Sequence, residues 1–157
     1  MSIIDVYKKK KNLSGVKKVA SALLLLSWVV FIWHNSMEGA GASGMRSTHI
    51  VNVVNGLLWE GMIVTEHVIR KMAHFLEYAV EGILAVFLFR AFEVGVTKNL
   101  CVGALLGVMT ALIDETIQLF SVGRNGAVED VWIDFGGFAL GFLISVMLCK
   151  LRQGDCD

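Results

Sequence analysis

Hydrophobic positions in this chain fall into four long runs, separated by shorter polar segments. The runs cover roughly residues 13–33, 72–92, 100–120 and 131–148. Because a transmembrane helix needs about 20 predominantly apolar residues, each run is close to spanning length. The first run follows lysines, as the core of a signal peptide does, but the interfacial Trp33 and the lack of a clean cleavage site favour an anchor helix. The pattern therefore predicts four transmembrane helices.

The segment between the first and second runs has a different pattern. Residues 36–47 are rich in Gly, Ser and Ala, which predicts a loop. Beyond them Ile50, Val54 and Leu57 recur at i, i+4 and i+7, with polar residues on the other faces. This spacing predicts an amphipathic interfacial helix over roughly residues 48–66, either as a packed cap or as a lid over a site.

Composition agrees with a single membrane domain over residues 1–157. Hydrophobic residues make up 55% of the chain and the mean hydropathy is +0.65, which excludes an ordinary soluble domain. The formal net charge is zero, but the residues at 8–11, 17 and 18 are all lysine. Beside a spanning segment such a cluster marks the cytoplasmic side and anionic lipid, so nucleic acid is not an expected partner. The three cysteines show neither CxxC nor zinc-type spacing.

Orientation follows from the basic residues at the ends of the runs. Together with the lysine cluster, the turn near residues 90–98 and the C-terminus carry Lys and Arg, which predicts that both termini are cytoplasmic. The start of the second helix, the end of the third and the start of the fourth then meet at the outer surface. Nine polar residues are thereby predicted to form a ligand-binding pocket: Lys71, His74, Tyr78, Asp114, Glu115, Gln118, Arg124, Asp130 and Asp134.

Charge at membrane depth costs roughly 2.5 to 3.5 kcal/mol per residue, so these side chains are expected to have partners and a task. One hypothesis is a closed ion-pair network, with Arg124 as the counter-charge. Another is a catalytic site, in which His74 is oriented by Glu77 or Asp114 and Glu115 is a further candidate. A third is binding of a lipid head group or cell-wall precursor without turnover. No cofactor is predicted outright, although a His with several carboxylates also suits a divalent cation.

Small residues predict how the last two helices pack. They repeat every four positions, at Gly103, Gly107 and Ala111 and at Gly137 and Gly141. This small-xxx-small pattern predicts that the third and fourth helices touch along their length. The loop 121–127 joins them, and Gly123 and Gly126 there suit positive φ.

Three motifs together resemble the VanZ-like family of bacterial membrane proteins. They are RKMAHFLEY at 70–78, DETIQLFSVGRNGAVEDV at 114–131 and IDFGGFALG at 133–141. The family pattern has K-x-x-H-F-x-x-Y, then D-E-x-x-Q-x-F with G-R and D-V, then a glycine-rich last helix, and scattered serines after the first helix, here Ser36, Ser43 and Ser47. The chain departs from this pattern by lacking proline and by carrying Glu81 where leucine is usual.

The resemblance implies a protein of the Gram-positive cytoplasmic membrane that reduces susceptibility to teicoplanin-type lipoglycopeptides, and so a role in antibiotic resistance. Binding or altering a cell-envelope component at the outer face is the mechanism we expect. The alternative is a membrane-embedded hydrolase or transferase acting on a phospholipid or polyprenyl-phosphate substrate. Matching family positions are Lys71, His74, Tyr78, Asp114, Glu115, Gln118, Arg124, Asp130 and Gly141.

Overall fold

Five helices make up the fold in the computed structural model, which describes residues 3–57, 63–95, 100–124 and 126–153. In chain order they are α1 (Ile3–Met37), α2 (Ala40–Leu57), α3 (Glu66–Ala91), α4 (Leu100–Phe120) and α5 (Val128–Gln153). The described residues contain no β-strand. Segments long and apolar enough to cross a membrane are Ser14–Met37, Glu66–Ala91, Leu100–Phe120 and Val128–Leu151. The predicted all-α, four-span, multi-pass membrane fold is confirmed.

The helix α3 begins six residues before the predicted boundary at residue 72. Thr65 is its N-cap, with φ −91° and ψ 159°, and the Thr65 hydroxyl accepts a hydrogen bond from the Val68 amide at 3.4 Å. The prediction placed the boundary where the apolar side chains begin. The backbone hydrogen bonds of the helix also include the polar residues before that point. Lys71 therefore lies in the second turn of α3 and not before it.

The predicted loop over residues 36–47 is wrong. α1 continues to Met37, and α2 already begins at Ala40. Alanine is the best helix former and the segment has no proline, so only residues 38 and 39 interrupt the helices there. Gly39 makes the turn between them, where an added Cβ would lie only 3.1 Å from the Val122 carbonyl oxygen. The turn is thus pressed against the connection between α4 and α5.

The far end of the predicted interfacial helix is also wrong. α2 ends at Leu57 instead of residue 66, residues 63–65 are not helical, and residues 58–62 lie outside the described residues. The amide of Asn55 donates to the Val64 carbonyl at 3.1 Å, and its side-chain oxygen accepts from the Val64 amide at 2.8 Å. The side chain of Asn55 thus takes both backbone hydrogen-bonding groups of Val64. The segment 63–65 is therefore a non-helical connection between α2 and α3.

Much of the apolar surface of α2 faces away from the helix bundle. Ile50 is 49% exposed and Leu57 is 80% exposed, whereas the polar Ser47 is buried. Thr48 holds α2 to the start of α3 by donating a hydrogen bond to Glu66. This arrangement suits an interfacial helix whose apolar side chains enter lipid.

The closest helix contact is between α3 and α5, along a seam that we call the glycine seam. It is formed by Gly82 of α3 and by Gly137 and Gly141 of α5. A Cβ added to Gly137 would collide with the Phe75 carbonyl oxygen, and one added to Gly141 with the Ala79 carbonyl oxygen. Main chain therefore meets main chain across this seam, as small residues allow.

The predicted partner of the α5 glycines was α4, and for these glycines the prediction is wrong. The glycines of α4 do face α5, but they receive aromatic rings. A Cβ on Gly103 would lie 2.9 Å from the Phe142 ring, and one on Gly107 would lie 2.5 Å from the Phe138 ring. Helices α4 and α5 are thus in contact, but two phenylalanine side chains separate their backbones.

Two tryptophans attach α1 to the rest of the bundle. The Trp28 indole N–H donates to the Glu77 carbonyl of α3 at 2.9 Å, and the Trp33 indole N–H donates to the Thr110 carbonyl of α4 at 3.3 Å. The first helix is therefore packed as a member of the bundle.

Candidate functional site

The end of α1, the start of α3, the end of α4 and the start of α5 meet at one pole of the bundle, which we call the polar pole. A cavity of about 280 Å³ opens there. Seven of the nine predicted ligand-binding residues line it: Lys71, His74, Glu115, Gln118, Arg124, Asp130 and Asp134. The antiparallel topology therefore brings together residues about 40 to 60 positions apart in the sequence.

The other two predicted residues are not part of the cavity lining. Asp114 is fully buried behind His74, and its Oδ2 lies 3.8 Å from His74 Nδ1. The same oxygen accepts a hydrogen bond from Gln118 Nε2 at 3.0 Å. Tyr78 is also fully buried, and its hydroxyl donates to the Thr110 carbonyl at 3.4 Å. Asp114 supports a residue of the cavity wall, whereas Tyr78 belongs to the core.

Lys71 pairs with a carboxylate at this pole. Its Nζ lies 2.6 Å from Asp130 Oδ1, and both side chains are partly exposed. The sequence had suggested Arg124 as the counter-charge of these carboxylates. Lys71 takes that place for Asp130 because the first turn of α5 packs beside the second turn of α3.

Arg124 remains available for other partners. Its Nε is buried and has no hydrogen-bond partner among the described residues. Burial lowers the pKa of the Arg124 guanidinium from its usual value, but arginine still stays protonated at neutral pH. The preceding Gly123 has φ 74°, which confirms the positive φ predicted for this glycine. The turn thus directs a charged, incompletely bonded guanidinium into the cavity.

Glu115 has a structural bond in addition to its position in the cavity wall. Its Oε2 accepts a hydrogen bond from the Ala127 amide at 2.8 Å. An added Cβ on Gly126 would lie 2.9 Å from the Glu115 carbonyl oxygen, so the chain passes very close to α4. One carboxylate oxygen of Glu115 therefore holds the α4–α5 connection in place.

Glu77, a predicted catalytic candidate, lies on a different side of His74. It accepts a hydrogen bond from Asn35 Nδ2 at 3.1 Å and lines a second cavity of about 220 Å³ under α2. Three residues line both cavities: Arg70, His74 and Arg124. The second cavity also has apolar walls, including Ile50 and Ile69.

Sequence reasoning missed His67 and Arg70 as cavity residues. Both line the polar cavity. A usable signal was present, because His67, Lys71 and His74 follow one another at i, i+4 and i+7 on one helical face. By contrast Glu81, the family departure, is fully buried near Thr110 and lines neither cavity.

Four helices able to span a membrane, with a polar cavity at one pole of the bundle, define a multi-pass membrane protein. The family model described as VanZ/LLP1 matches residues 21–149, which is most of the chain, so the chain belongs to this VanZ-like family. The family is linked to antibiotic resistance. Comparisons with curated proteins and with solved structures gave no match.

Proposed function

We propose that this VanZ-like protein acts at the outer face of the bacterial cytoplasmic membrane and reduces susceptibility to teicoplanin-type lipoglycopeptides. It does so by binding or altering an anionic, lipid-linked component of the cell envelope. The observation that carries this proposal is the position of Arg124, which lines both cavities and has a buried Nε without a hydrogen-bond partner among the described residues.

The two cavities together suit an amphiphilic ligand. Arg70, His74 and Arg124 are shared between them, and an arginine fork binds phosphate or carboxylate with two parallel hydrogen bonds. The cavity under α2 adds apolar walls from Ile50 and Ile69. An anionic head group beside the arginines with an apolar tail under α2 therefore satisfies both environments.

The outward orientation of the polar pole is part of the proposal. Lysine and arginine at the chain termini and near residues 90–98 favour the cytoplasm for the opposite pole. A cavity facing outward meets the membrane-bound envelope intermediates against which lipoglycopeptides act.

The proposal is tested by the resistance of cells that express variants. Arg124→Gln keeps a polar side chain but removes the charged fork, so we expect it to abolish the protection against teicoplanin that the parent gives. Glu129→Gln is the matched control, since Glu129 is exposed on the neighbouring turn and does not line either cavity. Minimum inhibitory concentrations are compared at equal membrane levels of each protein. Full protection by Arg124→Gln would contradict the proposal.

A second candidate function, a hydrolase or transferase on a phospholipid or polyprenyl phosphate, is favoured by one contact. His74 reaches the cavity while its Nδ1 lies 3.8 Å from the buried Asp114, as in an imidazole that a carboxylate orients. This function predicts turnover of such lipids by the purified protein and its loss in His74→Ala. Absence of product with a folded parent protein would exclude this candidate for the substrates assayed.

A further inference from the structure

We infer that His74, Asp114 and Asp134 form a binding site for one divalent transition-metal cation of the Zn²⁺ class. The metal site adjoins the cavity of the proposed function and shares His74 and Asp134 with it, but it does not include Arg124, which carries that proposal. It is tested by metal binding to purified protein, without cells or antibiotic, so its failure and the failure of the proposed function are distinguishable.

The three side chains come from three different helices. One ligand atom from each of His74 on α3, Asp114 on α4 and Asp134 on α5 can be chosen so that all three lie within 4.8 Å of one another. Nitrogen and carboxylate ligands bind Zn²⁺ at about 2.0–2.2 Å, so atoms bound to one ion stand about 3–4 Å apart. A small rotation of the side chains is enough to bring the three atoms to these distances.

Buried atoms without hydrogen-bond partners indicate that this cluster binds a ligand. Asp134 is only 2% exposed, yet its Oδ2 has no hydrogen-bond partner among the described residues. His74 Nδ1 is also buried and has no hydrogen bond there, since the nearest Asp114 oxygen is 3.8 Å away. Buried polar atoms are almost always hydrogen-bonded, because leaving one unsatisfied costs about 1 to 3 kcal/mol. A cation between these atoms would satisfy both.

The positive charges nearby do not fill this role. Lys71 is bound to Asp130, one turn before Asp134 on α5. Arg124 belongs to the loop and leaves its own Nε unpartnered among the described residues. The two buried carboxyl groups at the centre of the cluster therefore have no bonded Lys or Arg among the described residues, and in their deprotonated form they would match the charge of a divalent ion.

The surroundings resemble those of metal sites with an open position. Gln118 Nε2 donates to Asp114 Oδ2, which orients that carboxylate as an outer-shell group does in such sites. His74 and Asp134 line the cavity, so a further coordination position faces its interior. The imidazole favours zinc over magnesium and calcium, which prefer oxygen ligands alone.

The experiment is calorimetric titration of the full-length, tag-free protein in detergent after removal of metal with EDTA. ZnCl₂ is the probe, and MgCl₂ is titrated in parallel. We expect one Zn²⁺ per chain, weaker binding of Mg²⁺, and a loss of Zn²⁺ affinity of at least about tenfold in Asp134→Asn. Asp130→Asn is the matched control for metal affinity, since it makes the same change one turn earlier on the same helix.

A second readout keeps the test decisive if Asp134→Asn folds poorly. Zn²⁺ should raise the melting temperature of the parent and of Asp130→Asn but not that of His74→Ala. No Zn²⁺ binding by the parent would overturn the inference. So would equal affinity in the parent and Asp134→Asn, which would place zinc at cysteines or histidines elsewhere. Equal losses of Zn²⁺ affinity in Asp130→Asn and Asp134→Asn would also overturn the inference, because they would show a general effect of negative charge.

Discussion

Individual side chains at the polar pole differ most in whether their charge is already paired. Lys71 has its partner in Asp130, while Arg124 keeps a free buried N–H among the described residues. The sequence placed both cations at this pole but indicated Arg124, and not Lys71, as the counter-charge of the carboxylates. Position in the sequence predicts how far along its helix each residue lies. Which side chains form ion pairs depends on how neighbouring helices are rotated about their axes.

The pairing predicts a small effect on stability when Lys71 is changed. Because Lys71 and Asp130 are both partly exposed, Lys71→Met should lower the free energy of unfolding by about 1 kcal/mol or less. Lys71→Arg should restore most of that loss. Both free energies are measured by unfolding in mixed micelles, followed by circular dichroism. A loss of several kcal/mol in Lys71→Met would contradict this interpretation of Lys71–Asp130 as a weak, partly exposed ion pair.

The indole of Trp28 should contribute measurably to the packing of α1. Trp28→Phe keeps the aromatic ring but deletes the hydrogen bond to the Glu77 carbonyl. Such bonds in membrane proteins are worth about 0.6 kcal/mol on average and about 1.7 at most. Trp132→Phe is the control, because Trp132 is 66% exposed. The two variants are compared by their free energies of unfolding, and equal losses would contradict a role for the Trp28 bond.

At the scale of helices, the glycine repeats were recognised from the sequence but the partner of α5 was not. An i, i+4 repeat shows that a helix has a flat face, and it does not show which neighbour lies against that face. The missing signal was Gly82 of α3, an isolated glycine whose added Cβ would collide with the Phe138 carbonyl oxygen. A single glycine has no periodicity, so pattern alone could not place it.

Adding one methyl group within the glycine seam should destabilise the protein. Gly141→Ala places a Cβ against the Ala79 carbonyl, and main chain cannot move aside as a side chain can. We expect a loss of about 1–3 kcal/mol in the free energy of unfolding. In Gly136→Ala the new Cβ would meet only the Phe75 ring, at 3.7 Å, so this control should be nearly neutral. Equal stability of the two variants would contradict the tight seam.

Sequence pattern also could not show which neighbouring helix Glu77 faces, so its separation from His74 was not predicted. Three residues apart on α3, they were expected to act together, but Glu77 faces Asn35 and the cavity under α2. The predicted depth of Glu77 was therefore useful, whereas its direction depended on where α1 packs. Hydropathy does not contain that information.

For the whole molecule, the sequence was sufficient to predict the four spans and the meeting of three span ends at one pole. Both follow from the length and order of apolar runs. Of the fourteen Lys and Arg residues, nine lie in described segments at the pole opposite the cavity. The predicted orientation, with both termini in the cytoplasm, stays a prediction that labelling can test.

Cysteine labelling of intact cells tests this orientation. In a chain without its three native cysteines, Val122→Cys should react with an impermeant maleimide from outside, because Val122 is highly exposed at the polar pole. A chain that keeps only Cys101, which is exposed at the start of α4, should react only after the cells are permeabilised. The reverse labelling pattern would place the polar pole in the cytoplasm.

The glycine seam also bears on the entropy of ligand binding. Phe75, whose carbonyl meets Gly137, is the neighbour of His74, and Gly137 follows Asp134 by three residues. The separation of His74 from Asp134 is therefore fixed largely by main-chain atoms, which have no rotamers to exchange. These two groups are therefore already ordered when the chain has folded. A ligand that contacts both does not have to offset the conformational entropy of ordering them, which favours its binding.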